Sequence, residues 1–215
     1  RCATFGQSAL KRLPSHYFFA RGIAALFIIT GQQNQGQTKA ALEKLYVWLD
    51  DDRFQHFATR YCLLLAAGGI YGMVGNLKRL EQIGKHLLQA GLEKKHPLSI
   101  TWASHFLAHA YYQWNRLEEA AAHWSTVAKW PYQANFLAYH DAMLGLALID
   151  HSQGNVTQAQ QRLDRLNQVM LEINQNQFAP QIESFRTRLA LLRGQVGTAS
   201  HWLQTGVKPA FMPLF

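Results

Sequence analysis

The sequence predicts an all-α fold, a right-handed α–α superhelix (a helical solenoid) built from about five helical hairpins. Three observations predict it. A short pattern recurs at intervals of 39, 40, 39 and 40 residues, an apolar stretch of helical period precedes each copy, and a second helix-forming stretch follows it. A hairpin of this kind buries its apolar face only by stacking on its neighbours. We therefore expect one continuous core along an array of hairpins.

The recurring pattern marks the turn of each hairpin. Its first residue is glycine in four copies and asparagine in one. Both residue types tolerate the left-handed backbone conformation that ends a helix. We therefore expect a helix to end, and the next to begin, at Gly36, Gly75, Asn115, Gly154 and Gly194.

Fixed offsets from each turn residue indicate how the helices pack. At the fifth residue after each turn residue, a small side chain lets the second helix approach the first closely, and Leu80 is the one exception. At the ninth residue after each turn residue, we expect a bulky side chain that fills the space between neighbouring hairpins, and Gly84 is the exception. The small residues are Ala41, Ala120, Ala159 and Ala199, and the bulky residues are Leu45, Trp124, Leu163 and Leu203.

The elements follow one another in a regular order. Residues 1–14 have the position and composition of the second helix of a preceding repeat, and residues 208–215 hold two prolines after a short last helix. Prolines also stand at the joins between hairpins, where a helix cannot continue through them. We expect residues 1–215 to form a single superhelical domain, cut from a longer array at both ends. Its hairpins are predicted at 17–50, 54–92, 97–130, 135–174 and 179–206.

Charge and cysteine content narrow the classes of partner. The net charge is +8, and most of the excess lies before residue 109, with its densest patch at residues 78–96. A basic domain can indicate nucleic acid or an anionic ligand. This patch lacks the interleaved aromatic residues of single-strand binders, and the chain has no helix-turn-helix or zinc-finger spacing, so we expect a solvated helix face.

The two cysteines and the apolar runs bear on the compartment. Cys2 and Cys62 form no CxxC pair, and a secreted disulfide scaffold would use more, so a cytoplasmic protein is expected. Cys62 lies in an apolar helical run and is expected to be a buried small hydrophobic residue. No stretch approaches the length of a transmembrane helix, so no membrane association is expected.

The turn-and-alanine pattern resembles the tetratricopeptide repeat (TPR), although the TPR period is shorter, about 34 residues. Three phrases are similar to the repeat domain of MalT-type, LuxR-family ATP-dependent transcriptional regulators. The phrases are AYYQWNRLEEAA at 110–121, GLALIDHSQGNV at 145–156 and RLALLRGQVGTASHWL at 188–203. The resemblance covers nearly the whole chain and implies a TPR-like solenoid.

The resemblance also implies a function. In this family the helical superhelix is a non-catalytic sensor that binds a small-molecule inducer or a regulatory protein or peptide. It thereby controls ATP-dependent self-association of the full-length protein. ATP would be bound by an amino-terminal domain and DNA by a carboxy-terminal helix-turn-helix, and neither lies within these residues. No cofactor is therefore expected in this segment.

The third hairpin supplies the first candidates for ligand binding. Its first helix carries one apolar stripe for the core: Ala103, Phe106, Leu107, Ala110, Tyr111 and Trp114. A second stripe, about 140° around the helix, falls at the positions that line the concave surface of TPR-like solenoids. It consists of Trp102, His105, His109, Tyr112 and Gln113.

The same positions in later hairpins include Asp141, His151 and Arg188. Aromatic rings beside polar groups suit a small polar ligand or a peptide in a concave groove. The alternative is that Trp102 and Tyr112 simply pack against the next helix, with the histidines in solvent.

No catalytic or metal site is expected. Residues 31–38 nearly match a phosphate-binding loop, but Gln37 replaces its lysine and a helix precedes it. His105 and His109 have metal-ligand spacing without a third ligand nearby. The chain is therefore not expected to be an enzyme. A TPR-like protein–protein interaction scaffold unrelated to transcription is the main alternative, and an enzyme with an α-solenoid fold is the third.

Overall fold

A computed structural model describes residues 2–132 and 135–205 of the chain. Within these ranges it contains eleven α-helices, two 3-10 turns and no strand, which confirms the predicted all-α repeat class. Residue 206, predicted as the end of the last hairpin, and the predicted tail at 208–215 lie outside the described residues. The helices are α1 (Cys2–Arg12), α2 (Phe18–Gln33), α3 (Thr38–Asp50), α4 (Phe57–Met73), α5 (Leu77–Glu93), α6 (Pro97–Gln113), α7 (Leu117–Ala128), α8 (Phe136–Ser152), α9 (Val156–Glu172), α10 (Ala179–Leu192) and α11 (Val196–Thr205). The 3-10 turns are Asp52–Phe54 and Asn176–Phe178.

The chain divides into two compact units, of which the first is Arg1–Gln113. Here α2 packs on α1 and α4, and α4 packs in turn on α6. The second helices of the hairpins, α3 and α5, each pack on the first helices beside them. Ile29, Leu45, Leu63 and Ile70 are among the fully buried residues of the core between these helices. The first helices thus form a row, α2–α4–α6, in this unit.

The second unit is Trp114–Phe215. Within it α8 packs between α7 and α9, and α10 packs on α9 and α11. Every residue of α8 from Ala138 to Asp150 is buried, whereas α9 alternates buried and exposed residues. A helix that is buried on all sides, like α8, occupies a core position, whereas an amphipathic helix like α9 is typical of the surface.

The five predicted turn residues all have a left-handed backbone. Gly75 shows the pattern: the amide of Asn76, the next residue, donates to the Tyr71 carbonyl, 2.9 Å away, in the six-to-one hydrogen bond of a Schellman cap. Because a side chain strains this conformation, asparagine is the best substitute for glycine, as at Asn115. The φ angles are 75° at Gly36, 69° at Gly75, 58° at Asn115, 81° at Gly154 and 75° at Gly194.

The residues at fixed offsets from the turns are mostly buried, as predicted. All five residues five positions on are buried, including Leu80. Gly84, the misfit nine positions on, is explained by Leu107 of α6, whose Cγ would lie 2.8 Å from a Cβ placed on Gly84. The side chain that fills this space comes from the neighbouring helix.

Two residues that were predicted to be in the core, Leu203 and Trp114, are exposed, so these two predictions are wrong. Leu203 is 74% exposed, because no helix follows α11 among the described residues to cover its outer face. Trp114 is 37% exposed, because α6 ends one residue before it and the helical stripe does not continue to it. The remaining members of that stripe, from Ala103 to Tyr111, are buried.

Candidate functional site

The predicted ligand-binding residues of α6 differ widely in exposure. Trp102 and Tyr112 are half-buried and Gln113 is exposed, but His105 is fully buried and His109 almost so. The Trp102 ring packs edge-on to the His105 ring, with their centroids 5.6 Å apart and their planes at 87°. A ligand on this face of α6 would therefore meet Trp102, Tyr112 and Gln113 first.

The neighbouring helix α4 contributes glycine backbone beside His109. A Cβ placed on Gly72 would lie 3.7 Å from Nδ1 of His109, so the imidazole rests against the backbone of α4. Gly69, one turn earlier, has no atom within 4 Å of a Cβ placed on it. Leu65 and Met73 flank this open position on the same face of the helix, and Met73 is exposed. We call the surface formed by Gly69, Gly72, Trp102, His109 and Tyr112 the α4–α6 face.

A polar residue of α2 that the sequence reasoning missed extends this row. The side-chain oxygen of Gln33 is buried and accepts no hydrogen bond from any described residue. A buried acceptor left without a donor costs about 1–3 kcal/mol, so a ligand or water that donates to it would be stabilised. Gln33 precedes Gly36 by three residues, as Tyr112 precedes Asn115, and this shared offset would have found it.

The second unit holds the other three predicted residues. Asp141 is buried, and Nδ1 of His140 donates to its carboxylate at 2.9 Å. His140 was not predicted, because it lies next to the predicted stripe and not on it. His151 is half-buried, and Arg188 is exposed on α10, its guanidinium 5.9 Å from the centroid of the Phe185 ring. In this unit, therefore, Arg188 is accessible to a ligand from solvent, whereas the His140–Asp141 pair is buried.

The structure also describes Cys62 and the basic patch at residues 78–96, which the sequence did not assign to the ligand site. Cys62 is buried, as predicted, and burial raises the pKa of its thiol to about 12. The basic residues of the 78–96 patch are exposed, as predicted for a solvated face; they are Lys78, Arg79, Lys85, Lys94 and Lys95. In the described ranges, no group of three His, Cys, Asp or Glu side chains is placed to hold a metal ion. None of the helices described is both long and apolar enough to span a membrane.

Comparison with known proteins identifies the family. Residues 1–213 match the family model of the MalT-like TPR region, nearly the whole length of the chain. No curated protein matches the chain, and no solved structure matches it. The match confirms the resemblance carried by the three repeat phrases and agrees with the paired helices and the left-handed turns. The chain belongs to the MalT-like TPR family.

Proposed function

We propose that this chain is the sensor domain of a MalT-like, LuxR-family, ATP-dependent transcriptional regulator and binds a small-molecule inducer on the α4–α6 face. Family membership supports the general role. The observation that carries the choice of face is the open position at Gly69, one turn before Gly72, whose backbone lies against the imidazole of His109. Open space next to aromatic and hydrogen-bonding groups is what a small polar ligand needs.

The chemistry of the face favours a ligand with a flat apolar side and several polar groups. Trp102 and Tyr112 are half-buried, so each offers part of a ring to a sugar or heterocycle. His109 and the neighbouring Gln113 supply groups that donate or accept hydrogen bonds and fix the ligand's orientation. The proposed ligand is therefore a small polar compound of sugar or heterocycle type.

Binding on this face gives a route from ligand to regulation. α4 and α6 belong to successive hairpins and touch directly. A ligand that contacts both helices favours one spacing of the two hairpins over others, and so shifts the population of array conformations. In the full-length protein this shift would act on ATP-dependent self-association in the cytoplasm, with ATP and DNA bound by other domains.

A variant that fills the face tests the proposal without removing any contact. Gly69→Leu places a side chain in open space, so we expect normal helical content but loss of inducer binding. Gly197→Leu is the matched control, because Gly197 of α11 also has no atom within 4 Å of an added Cβ. Candidate inducers are first identified by screening sugars and other metabolites for compounds that raise the melting temperature of the chain. The affinity of each variant for such a compound is then measured by calorimetry.

Trp102→Ala and His109→Ala complete the test and should weaken binding while circular dichroism stays unchanged. If a compound binds all three variants of the α4–α6 face as tightly as the wild-type chain, the face is not the site. The full-length gene gives an independent check, because a regulator of this class must encode a nucleotide-binding motif before this region and a helix-turn-helix after it.

A protein-binding scaffold is the second candidate function, and one observation favours it. An apolar groove of about 310 Å³ lies between α1 and α2, with Phe5 and Phe27 exposed at its sides. Exposed apolar surface of this kind is typical of protein interaction sites. Under this alternative, Phe27→Glu would abolish binding of a partner protein, while Gly69→Leu would have no effect.

A further inference from the structure

A second cavity in the first unit has a different chemistry from the α4–α6 face. It has a volume of about 420 Å³ and lies among α1, α2, α3 and the 3-10 turn Asp52–Phe54. Its floor is apolar: the Phe54 ring is 2% exposed and stacks on the Trp48 ring, with centroids 5.1 Å apart and planes at 13°. We call this cavity, with Lys11, Arg21, Lys44 and Arg53 at its sides, the basic pocket.

The charges around the basic pocket are unbalanced. Four of its lining residues are basic and none is acidic. Arg53 is held by Asp51, whose carboxylate accepts hydrogen bonds from Nε at 3.0 Å and Nη2 at 2.6 Å. Within the described part of the chain, Lys11 and Lys44 have no carboxylate within 4.0 Å. Among the residues that the structure describes, Lys11, Arg21 and Lys44 thus have no carboxylate partner.

Arg21 is fixed in place while part of its guanidinium stays available. Nη1 donates to the carbonyls of Leu13 at 3.0 Å and Leu10 at 3.3 Å, at the carboxyl end of α1. Its Cζ lies 6.0 Å from the centroid of the Phe54 ring, and Nζ of Lys44 lies 6.0 Å from the Trp48 ring. Each cation therefore stands over the aromatic floor, where the lower dielectric strengthens its attraction for an anion.

We propose that the basic pocket binds a small phosphate monoester, such as a sugar phosphate. A phosphate monoester carries nearly two negative charges at neutral pH and three acceptor oxygens, which suits three unbalanced cations better than one carboxylate does. The volume lies in the range of small-molecule sites and exceeds what a bare phosphate would occupy. The remaining space, over Trp48 and Phe54, accommodates the body of the ligand. The site shares no residue with the α4–α6 face and does not depend on the proposed function.

Calorimetry of the 215-residue chain with glucose 6-phosphate tests this assignment, at low salt because salt screens such charges. We expect saturable binding of one equivalent with a dissociation constant in the millimolar range or tighter, weaker binding of inorganic phosphate, and none of glucose. Lys11→Gln and Lys44→Gln should each weaken binding of glucose 6-phosphate about tenfold, since each removes a charged hydrogen-bond donor.

Lys39→Gln is the matched control. Lys39 lies on α3 like Lys44, but it does not line the pocket and is paired with Glu43 at 4.0 Å. Lys39→Gln lowers the net charge of the chain by the same amount as Lys11→Gln or Lys44→Gln. Because Lys39 is not part of the pocket, the affinity for glucose 6-phosphate should not change. Equal weakening by all three variants would show non-specific attraction to a basic chain and would overturn the proposal. So would wild-type affinity in Lys11→Gln and Lys44→Gln, or no binding of either phosphate compound. Equal affinity for inorganic phosphate and the ester would overturn the role of the aromatic floor.

Discussion

Gly68 of α4 lies directly against the ring of Phe106 of α6. A Cβ placed on Gly68 would stand 2.2 Å from Cε2 and 2.4 Å from Cζ of that ring, well inside the contact distance of two carbon atoms. The next residue, Gly69, faces open space. Two adjacent glycines of one helix therefore serve different purposes: Gly68 allows two helices to approach, and Gly69 leaves the surface open.

Alanine at these two positions should have opposite effects on stability. Gly68→Ala forces the Phe106 ring or the helix to move, and overpacking of this kind costs about 1–3 kcal/mol. Gly69→Ala meets nothing and should raise the free energy of unfolding by about 0.5–1 kcal/mol, because alanine is a better helix former. Urea unfolding of both variants checks this. If Gly68→Ala is as stable as Gly69→Ala, the helices do not approach as closely as described.

Two leucines at the same repeat position, nine residues after the turn, form a second matched pair. Leu163 is fully buried in the second unit, whereas Leu203 is largely exposed. Leu163→Ala should lower the free energy of unfolding by about 2–5 kcal/mol, the usual cost of a cavity in a core. Leu203→Ala should change it by about 0.5 kcal/mol or less. Equal losses in denaturant unfolding would mean that a further element covers Leu203.

The buried thiol of Cys62 predicts a loss of stability at alkaline pH. Its pKa is raised by burial from 9.0 to about 12, so between these values the unfolded chain loses a proton that the folded chain retains. The contribution is complete below pH 9 and is lost as pH rises toward 12. The expected loss from this group between pH 9 and 10 is about 1 kcal/mol.

Cys62→Ala should reduce this slope, measured by denaturant unfolding at each pH, even if it lowers stability overall. Burial also raises the pKa of Tyr61, so Cys62→Ala retains part of the slope and Tyr61→Phe should reduce it further. A slope that is unchanged in both variants would contradict the assignment.

His96 predicts the opposite dependence at acidic pH. Burial lowers the pKa of this histidine below 6.5, and its ring packs against Phe57 and Tyr61 at centroid distances of 5.3 and 5.2 Å. Below pH 6.5 the unfolded chain binds a proton that the folded chain resists, so stability should fall as pH falls from 7 toward 5. His123, whose pKa burial also lowers, adds to the effect.

The variant His96→Asn isolates this contribution. Nδ1 of His96 accepts a hydrogen bond from the amide of Ser99 at the start of α6, and asparagine is able to cap the helix in the same way without titrating. A nuclear magnetic resonance titration should place the pKa of His96 below 6.5, and His96→Asn should lose less stability on acidification. A pKa at or above 6.5 would refute the prediction.

The sequence was informative wherever local chemistry decides the structure. A left-handed residue is needed to join two helices by a tight turn, and glycine or asparagine at Gly36 or Asn115 reports that need directly. The buried alanines, such as Ala41 and Ala120, follow from the same period because each sits at a fixed distance from its turn.

Other features depend on residues far apart in sequence and could not be predicted. Gly84 looked like a misfit, because only the structure shows that Leu107 fills its place. The burial of His105 and Asp141 likewise depends on which helices surround them. Their positions in the repeat predicted that both residues would line the concave groove. The repeat period located the predicted residues on helix faces but not their exposure, and so the ligand-binding assignment stays a prediction.

The open space beside the turn glycines has a consequence for how the number of repeats changes in evolution. A Cβ placed on Gly36, Gly75, Gly154 or Gly194 meets no atom within 4 Å, so no neighbouring element packs against these four glycines on that side. A duplication or deletion of a whole hairpin, with its ends at two such turns, would leave every turn and its capping hydrogen bonds intact. Repeat number in an array of this kind is therefore free to change by gene duplication, while the length of a single repeat is held by the packing of its helices.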